Sequence, residues 1–243
     1  WKPKKEGEPF WKAPWSEGRP GWHIECSEMS KKYLGEQIDI HAGGEDLIFP
    51  HHENEIAQSE AANGKEFSRY WMHNGFLNID NRKMSKSLGN FFTVREISEK
   101  YDLQVLRFFM LSAHYRSPLN FSAELMEAAK SGLERIITAA DRLKFLMGSA
   151  KTEDMAETEA EKFAKSAEYV GNFESAMDDD FNTADAVSAI YELVRFSNTE
   201  IKAGASKEFA EKIQDMLDHL CGVLGVAEVA EEAVSDEDVA KIE

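Results

Sequence analysis

The sequence contains little cysteine: 243 residues include only two, Cys26 and Cys221, which lie far apart in the chain. Two widely separated cysteines supply no disulfide framework, and such sparse use of cysteine is typical of a reducing compartment. No apolar run approaches the roughly 20 residues that a helix needs to cross a bilayer. The polar start WKPKKEGEPFWKAPW does not have the pattern of a signal peptide. We therefore expect a cytoplasmic protein without a membrane partner.

Positive charge is also scarce, because 28 lysines and arginines face 45 aspartates and glutamates, which gives a formal net charge of −17. Such a surface repels phosphate backbones over a Debye length of about 8 Å, which argues against general nucleic-acid affinity. The charge is uneven, however, and leaves room for a local basic patch. Much of the acid follows residue 150, and we expect the acidic tail 226–243 to be flexible.

The first part of the sequence has the pattern of an α/β sheet. Strand, turn, helix and strand follow one another, and ligands of such sheets collect at the carboxyl ends of the strands. The predicted elements are a helix over 24–34, a strand Gln37–His41, a tight turn at Gly43–Gly44, a helix from about Pro50 to Ala62 with Pro50 in its first turn, and a strand region Tyr70–Ile79.

The second part is typical of an all-α domain. Apolar residues recur at alternating steps of four and three, from Leu125 through Leu133 and Ile136 to Met147, and three further amphipathic segments follow. Four such helices with short connections predict an antiparallel bundle. A capping box at Thr93–Glu96 predicts the start of an earlier helix. We place the domain boundary near residue 120, with the bundle over 121–225.

Three candidate metal ligands lie in the stretch from Gly21 to Glu60: Cys26, His51 and Glu55. His51 and Glu55 are four residues apart, so on a helix they share one face. Zinc accepts thiolate, imidazole and carboxylate together, and three protein ligands leave a fourth position open. The spacing alone also fits a solvated helix pair beside a buried cysteine.

A polar segment, Asn81–Asn90, is predicted to form a mobile loop with the pentapeptide KMSKS at 83–87. Lys83 and Lys86 could close over a triphosphate and stabilise the charge that develops at the α-phosphate and the pyrophosphate. Two lysines by themselves fit a plain solvated loop equally well.

KMSKS resembles the signature loop of class I aminoacyl-tRNA synthetases. The segments GWHIECS and DIHAGGEDLIFPHHENEIAQSE are similar to those of the cysteinyl-tRNA synthetases, and the resemblance continues through LRFFMLSAHYRSPLNFS and MDDDFNTADA. It covers about residues 1–225. It implies the second half of a Rossmann-like class I catalytic domain (α/β) over 1–120, followed by an all-α antiparallel helical bundle on the tRNA side.

The resemblance also implies roles for individual residues. Cys26, His51 and Glu55 would bind a zinc ion that holds the thiolate of the cysteine substrate, and Trp22 and His41 would line that pocket. The implied ATP-binding residues are Gly43, Gly44, Asp46, Lys83, Met84, Ser85, Lys86 and Ser87, with Lys83 and Lys86 acting in catalysis. His52 is expected to be structural, and the resemblance assigns no role to His73 or His114.

The implied activity is the ATP-dependent ligation of L-cysteine to tRNA(Cys) through cysteinyl adenylate, with Mg²⁺ accompanying ATP, in a cytoplasmic monomer. The family's first half, with its HIGH-type histidines and a fourth zinc ligand, has no counterpart here, and neither has the C-terminal anticodon-reading portion. We therefore expect this chain alone to be inactive in aminoacylation and to bind zinc more weakly. Two alternatives stay open: a cysteine ligase that acts on an aminosugar, and a non-catalytic tRNA- or protein-binding module.

Overall fold

The computed structural model describes residues 1–79, 82–84 and 89–227, which form two compact units. Unit 1 comprises Trp1–Phe76 and the short segment Arg116–Pro118, and unit 2 comprises Leu77–Tyr115 and the chain from Leu119 onward. The chain thus changes unit after Phe76, and the predicted domain boundary near residue 120 stays a prediction. Val105, Phe108 and Phe109, which lie between these two points, belong to the buried core of unit 2. No helix within the described ranges is both long and apolar enough to cross a membrane.

Unit 1 is built around two parallel strands joined by a helical crossover. Its elements are β1 Lys2–Pro3, β2 Trp11–Lys12, β3 Glu17–Arg19, α1 Trp22–Leu34, β4 Ile38–Gly44, a 3-10 turn Glu45–Leu47, an irregular helical turn Ile48–His52, α2 Glu53–Asn63 and β5 Ser68–Asn74. Strands β4 and β5 pair in parallel from Ile38 opposite Ser68 to Gly44 opposite Asn74. The predicted succession of strand, helix and strand is therefore confirmed, and α1 packs against α2.

The predicted tight turn at Gly43–Gly44 is wrong, because both glycines are the last residues of β4 and pair with His73 and Asn74. Gly43 is required by close packing instead. A Cβ at this position would lie 2.9 Å from Cε1 of His52, a distance that real Cβ atoms do not adopt.

Helix α2 spans Glu53–Asn63 and continues directly from the irregular turn Ile48–His52. Phe49, with extended backbone angles (φ −134°, ψ 130°), is the non-helical residue of that turn, so helical backbone starts at Pro50, as predicted. One further boundary differs from the prediction. The predicted single strand Tyr70–Ile79 is two strands, of which the second, β6 Leu77–Ile79, belongs to unit 2. Between them, Gly75 lies so close to Ser117 that a Cβ would be 2.6 Å from the Ser117 carbonyl carbon. This close approach ties Arg116–Pro118 to unit 1.

Unit 2 combines a small sheet with helices. Its elements are β6, β7 Arg82–Lys83, α3 Val94–Ser98, α4 Leu103–Leu111, β8 Leu119–Phe121, α5 Ala123–Ser149, α6 Glu157–Asp178, α7 Thr183–Glu200 and α8 Lys207–Leu224. Strand β6 pairs antiparallel with β7 and parallel with β8. The capping box is confirmed: Thr93 Oγ1 accepts from the Glu96 N–H, and the Glu96 carboxylate accepts from the Thr93 N–H at 2.7 Å.

The predicted helical bundle is confirmed as α5 to α8, joined by short connections. Side chains of Ser122, Asn182 and Ser206 cap the first turns of α5, α7 and α8, where backbone N–H groups lack helical partners. One detail of the apolar seam differs, since Leu125 is 42% exposed while Met126 is fully buried. The bundle core includes Met126, Ile136, Leu143, Ile190, Leu193, Phe209, Ile213, Leu217 and Leu220.

Glu159 joins the starts of α6 and α8, because its carboxylate accepts hydrogen bonds from the N–H groups of Ala156 (3.0 Å) and Ser206 (3.1 Å). Burial by itself would raise the pKa of Glu159, but the hydrogen bonds from Ser206 and Ala156 outweigh it, and the pKa is lowered. A lowered pKa in the folded state means that the carboxylate stabilises the fold above the pKa of the unfolded chain. This contribution is lost as the pH falls through the folded-state pKa.

We therefore expect Glu159→Gln to lower the free energy of unfolding by about 1–2 kcal/mol at pH 7, because hydrogen bonds to a charged group are lost. The difference from the wild type should shrink as the pH falls from about 5 to below 4. Urea unfolding followed by circular dichroism at pH 7 and pH 3.5 measures both effects. Glu161→Gln, an exposed position on the same helix, is the matched control. An effect of Glu159→Gln that is the same at both pH values would contradict the assignment.

Candidate metal and substrate site

Cys26, His51 and Glu55 come together in unit 1: one ligand atom of each lies within 4.8 Å of the others. Cys26 is on α1, His51 lies in the irregular turn before α2, and Glu55 is in the first turn of α2. Packing of α1 against α2 therefore brings a thiol to an imidazole and a carboxylate that neighbour each other in sequence. The three residues that the sequence singled out share one place in the fold.

Glu55 lies at the centre of this cluster and is 1% exposed. Its Oε1 is 2.7 Å from Nε2 of His51, and its Oε2 is 3.1 Å from Nε2 of His41. Among the described residues, neither oxygen receives a hydrogen bond of acceptable geometry. A buried carboxylate without hydrogen-bond donors is costly. A cation beside the thiol and the imidazole would satisfy it, so the residues fit a metal ion.

Three histidines of this cluster, His51, His52 and His73, favour their neutral form. Burial lowers the pKa of His51, against the opposing effect of the Glu55 charge, and burial lowers the pKa of His52 to about 4 with a further contribution from His41. Burial also lowers the pKa of His73. Neutral imidazole is the form that coordinates metals, since a protonated ring has no free lone pair.

His51 is held on two sides. Its Nδ1 lies 2.7 Å from Nδ1 of His23, so one of these nitrogens carries the shared proton, and the centre of its ring is 4.1 Å from that of Trp22. No individual role was predicted for His23 from the sequence. The spacing of His23 could have indicated a role at the site, because His23 precedes Cys26 by three residues and so lies on the same face of α1 as Cys26. A hydrogen bond to the second ring nitrogen is what orients histidine ligands in metal sites.

The thiol of Cys26 is half-buried. Burial raises the pKa of the Cys26 thiol, and the negative charges of Glu55 and Glu25 raise it further, against a weaker hydrogen bond with Trp22. A thiolate at this position therefore needs compensating positive charge, which a metal ion would supply while releasing the proton.

A second group, His41, His52 and Glu55, also has its ligand atoms within 4.8 Å of one another. Nδ1 of His52, in turn, lies 2.8 Å from Nε2 of His73. The sheet sets the position of His73, because His73 pairs with Gly43 near the carboxyl ends of β4 and β5. His73, for which no role was predicted, thus supports the buried His52.

The predicted ATP-binding residues are only partly described. In unit 1, Gly43 and Gly44 end β4, and Asp46 follows in the 3-10 turn. In unit 2, Lys83 is exposed in β7, and the N–H of Met84 donates to the carbonyl of Leu77 at 3.0 Å. Ser85, Lys86 and Ser87 lie outside the described residues, as does most of the acidic tail.

Comparison with protein families matches residues 1–131 to the class I (C) tRNA synthetase catalytic domain and residues 172–228 to the DALR domain. Among curated proteins, the chain is 64% identical to a cysteine–tRNA ligase of Lachnospira eligens over 239 residues, which are 98% of this chain and 51% of that protein. It is 56% identical to a cysteine–tRNA ligase of Clostridioides difficile over 242 residues, which are 100% and 52% of the two chains. The chain thus spans about half the length of the curated relatives it matches.

Solved structures show the same fold at low identity. A LeuRS of Agrobacterium radiobacter K84, in a ternary complex with tRNA and LeuAMS, is 16% identical with a TM-score of 0.64, over 80% of this chain and 27% of that chain. A methionyl-tRNA synthetase of Mycobacterium tuberculosis in complex with methionyl-adenylate is 18% identical with a TM-score of 0.55, over 82% and 42%. The predicted class I architecture, a Rossmann-like catalytic portion followed by a helical domain, is confirmed.

Proposed function

Since this chain belongs to the class I (C) tRNA synthetase family, we propose that it supplies the cysteine-selecting part of a cysteine–tRNA ligase. The proposed reaction is the ATP-dependent ligation of L-cysteine to tRNA(Cys) through cysteinyl adenylate. The observation that carries the proposal is the buried Glu55 carboxylate, which lacks hydrogen-bond donors of good geometry and lies within 4.8 Å of a thiol and an imidazole.

Cys26, His51 and Glu55 would hold one zinc ion. When bound, zinc would act as a borderline-soft Lewis acid, which favours the thiolate of cysteine over the hydroxyl of serine. The protein's own residues prepare the site: His23 and Trp22 orient the His51 ring, and Nε2 of His41 lies 3.1 Å from the second oxygen of Glu55. Discrimination through a ligand bond can exceed the roughly 100-fold that pocket shape achieves between similar side chains.

The nucleotide-binding roles remain part of the proposal. Gly43 and Gly44, at the end of β4, would lie against the adenosine, and Asp46, two residues later in the 3-10 turn, would accept a hydrogen bond from a ribose hydroxyl. Lys83 and Lys86 would offset the phosphate charges of ATP during adenylate formation. The expected inactivity of this chain alone in aminoacylation stays a prediction.

A cobalt titration of the 243-residue chain tests the proposal. Cobalt at Cys26, His51 and Glu55 should give the visible bands of a tetrahedral site and a thiolate charge-transfer band. We expect L-cysteine to intensify the charge-transfer band, because a second thiolate joins the metal, whereas L-serine at the same concentration should leave it unchanged. Equal responses to the two amino acids, or no cobalt spectrum at all, would overturn the proposal.

A further inference from the structure

A cleft in unit 2 is lined by residues of α3, of the segments on either side of α3, of β8 and of the first turn of α5. It has a volume of about 360 Å³ and is formed by unit 2 alone. Its aromatic and charged lining residues are Phe92, Glu96, Glu99, Lys100, Tyr101 and Phe121. These residues belong neither to the candidate metal site nor to the predicted ATP-binding set, so the proposed function gives the cleft no role.

Two phenylalanine rings form an apolar corner in this cleft. The ring centres of Phe92 and Phe121 are 6.4 Å apart, and the ring planes are inclined to each other at 38°. Phe121 is held in place, because its ring also meets the ring of the buried Phe109 edge-on at 5.7 Å. Phe92, by contrast, is 46% exposed. A partly exposed ring beside a fixed ring leaves aromatic faces that a ligand can cover.

The carboxylate of Glu96 lines the same cleft and is held in its charged form. Its Oε2 accepts hydrogen bonds from the N–H of Thr93 at 2.7 Å and from the Thr93 hydroxyl at 2.8 Å. These two hydrogen bonds, the backbone one first, lower the pKa of Glu96 against a smaller opposing effect of burial. Because both bonds reach Oε2, the second oxygen of the carboxylate remains available to a ligand.

Negative charge predominates around the cleft. Glu99 is an exposed residue of the lining, three positions after Glu96. Burial raises the pKa of the Tyr101 hydroxyl, and the negative charge of Glu127 raises it further, so a third carboxylate lies near the cleft. Lys100 is the basic residue of the lining and is exposed. Its flexible four-carbon stem lets the ammonium group turn toward water.

We propose that this cleft binds a small alkylammonium ion, with its alkyl groups against the rings of Phe92 and Phe121 and its positive charge near Glu96 and Glu99. The face of an aromatic ring attracts a cation through the ring quadrupole. The aromatic corner alone would accept any apolar group, and the carboxylates alone would attract any cation. Together they favour a ligand that is both apolar in surface and positively charged. The proposal does not rest on the proposed function.

The test uses choline as the probe and neohexyl alcohol as the control ligand, since the latter has the same shape but carries carbon in place of the charged nitrogen. Each ligand is titrated with the 243-residue chain, and the proton NMR signal of its methyl groups is followed. We expect the choline signal to move upfield, because its methyl groups lie over aromatic faces. Choline should bind at least about 5-fold more tightly than neohexyl alcohol.

A Phe92→Leu variant should lose the upfield shift and bind choline about 3- to 10-fold more weakly. Leucine keeps an apolar side chain of similar size but has no aromatic face. Phe145→Leu is the matched control, because Phe145 is an exposed phenylalanine near the other end of α5 from the cleft. It should keep both the affinity and the shift. Circular dichroism checks that both variants, each at an exposed position, keep the fold.

Two neighbouring charges give opposite expected effects. Glu99→Gln should weaken choline binding about 2-fold, and Lys100→Gln should strengthen it by a similar factor, as expected for exposed charges that water and salt screen. A general loss of structure would weaken binding in both variants. Glu161→Gln, at an exposed position on α6, should leave the affinity unchanged and controls for the attraction of cations to an acidic chain.

Three results would overturn the proposal. Equal affinities for choline and neohexyl alcohol would assign the cleft to neutral apolar groups. A Phe92→Leu protein that matches Phe145→Leu in affinity and shift would show that the rings do not hold the ligand. A loss in Glu161→Gln as large as that in Glu99→Gln would assign choline binding to the net charge of −17. These measurements use no metal, so their outcome is independent of the cobalt titration.

Discussion

A Cys26→Ser variant should bind cobalt and zinc at least about 100-fold more weakly than the wild type and should lose the thiolate charge-transfer band. Residues that only support metal ligands typically contribute 10- to 100-fold to affinity, so loss of a ligand belongs at or beyond the upper end of that range. Serine has nearly the same shape, but its hydroxyl is a much poorer metal ligand than a thiolate. The change therefore tests coordination rather than packing, by competition titration with a chromophoric chelator.

The matched control is the second cysteine. Cys221 belongs to unit 2, is 5% exposed on α8, and burial raises the pKa of its thiol to about 12. A thiol that stays protonated is a poor ligand, so Cys221→Ala should keep the metal affinity and the absorption spectrum. Equal losses in the two variants, or a Cys26→Ser protein with unchanged affinity, would show that Cys26 is not a ligand.

A Phe209→Ala variant should lose about 3–5 kcal/mol of the free energy of unfolding of unit 2. Phe209 is 1% exposed in the first turn of α8, and its N–H donates to the Ser206 side chain that caps this helix. Its ring belongs to the core shared by α5 to α8. Removal leaves a cavity that the surrounding helices cannot fill completely. The loss is a large fraction of the roughly 5–15 kcal/mol that stabilises a typical domain.

Phe145→Ala provides the comparison, because Phe145 is the same residue type, also on a bundle helix, but is 73% exposed. It should change the free energy of unfolding by less than about 0.5 kcal/mol. Urea unfolding followed by circular dichroism gives both values, provided that the denaturant slope stays constant. Similar losses in the two variants would mean that Phe209 does not pack in the core as described.

The helical bundle could be predicted from the sequence because the signals that define each helix lie close together along the chain. An amphipathic helix shows its buried face within a few turns, and the caps at Ser122 and Ser206 lie beside the helices they start. The candidate ligands His51 and Glu55 could be paired for the same reason. Cys26 could be joined to them from its residue type only as a candidate, and resemblance to a known family strengthened it, because its proximity depends on packing of α1 against α2.

The features that the sequence missed depend on contacts between distant segments. A Gly-Gly pair usually ends a strand, and only pairing with His73 and Asn74 shows that β4 continues through Gly44. The role of His23 likewise appears only when His51 lies 2.7 Å from it. Helical spacing placed His23 and Cys26 on one face, but spacing does not say what that face meets.

The contact between Gly75 and Ser117 has a consequence for how unit 1 is made. During translation, residues 1–76 are synthesised well before Arg116–Pro118, the segment that completes this unit. At about 5–20 residues per second, the roughly 40 residues between them take about 2–8 s to translate. During that interval the nascent unit 1 lacks its last segment, while β6, α3 and α4 of unit 2 are already being synthesised. Synthesis of the two units is therefore interleaved, and unit 1 is complete only after part of unit 2 has been made.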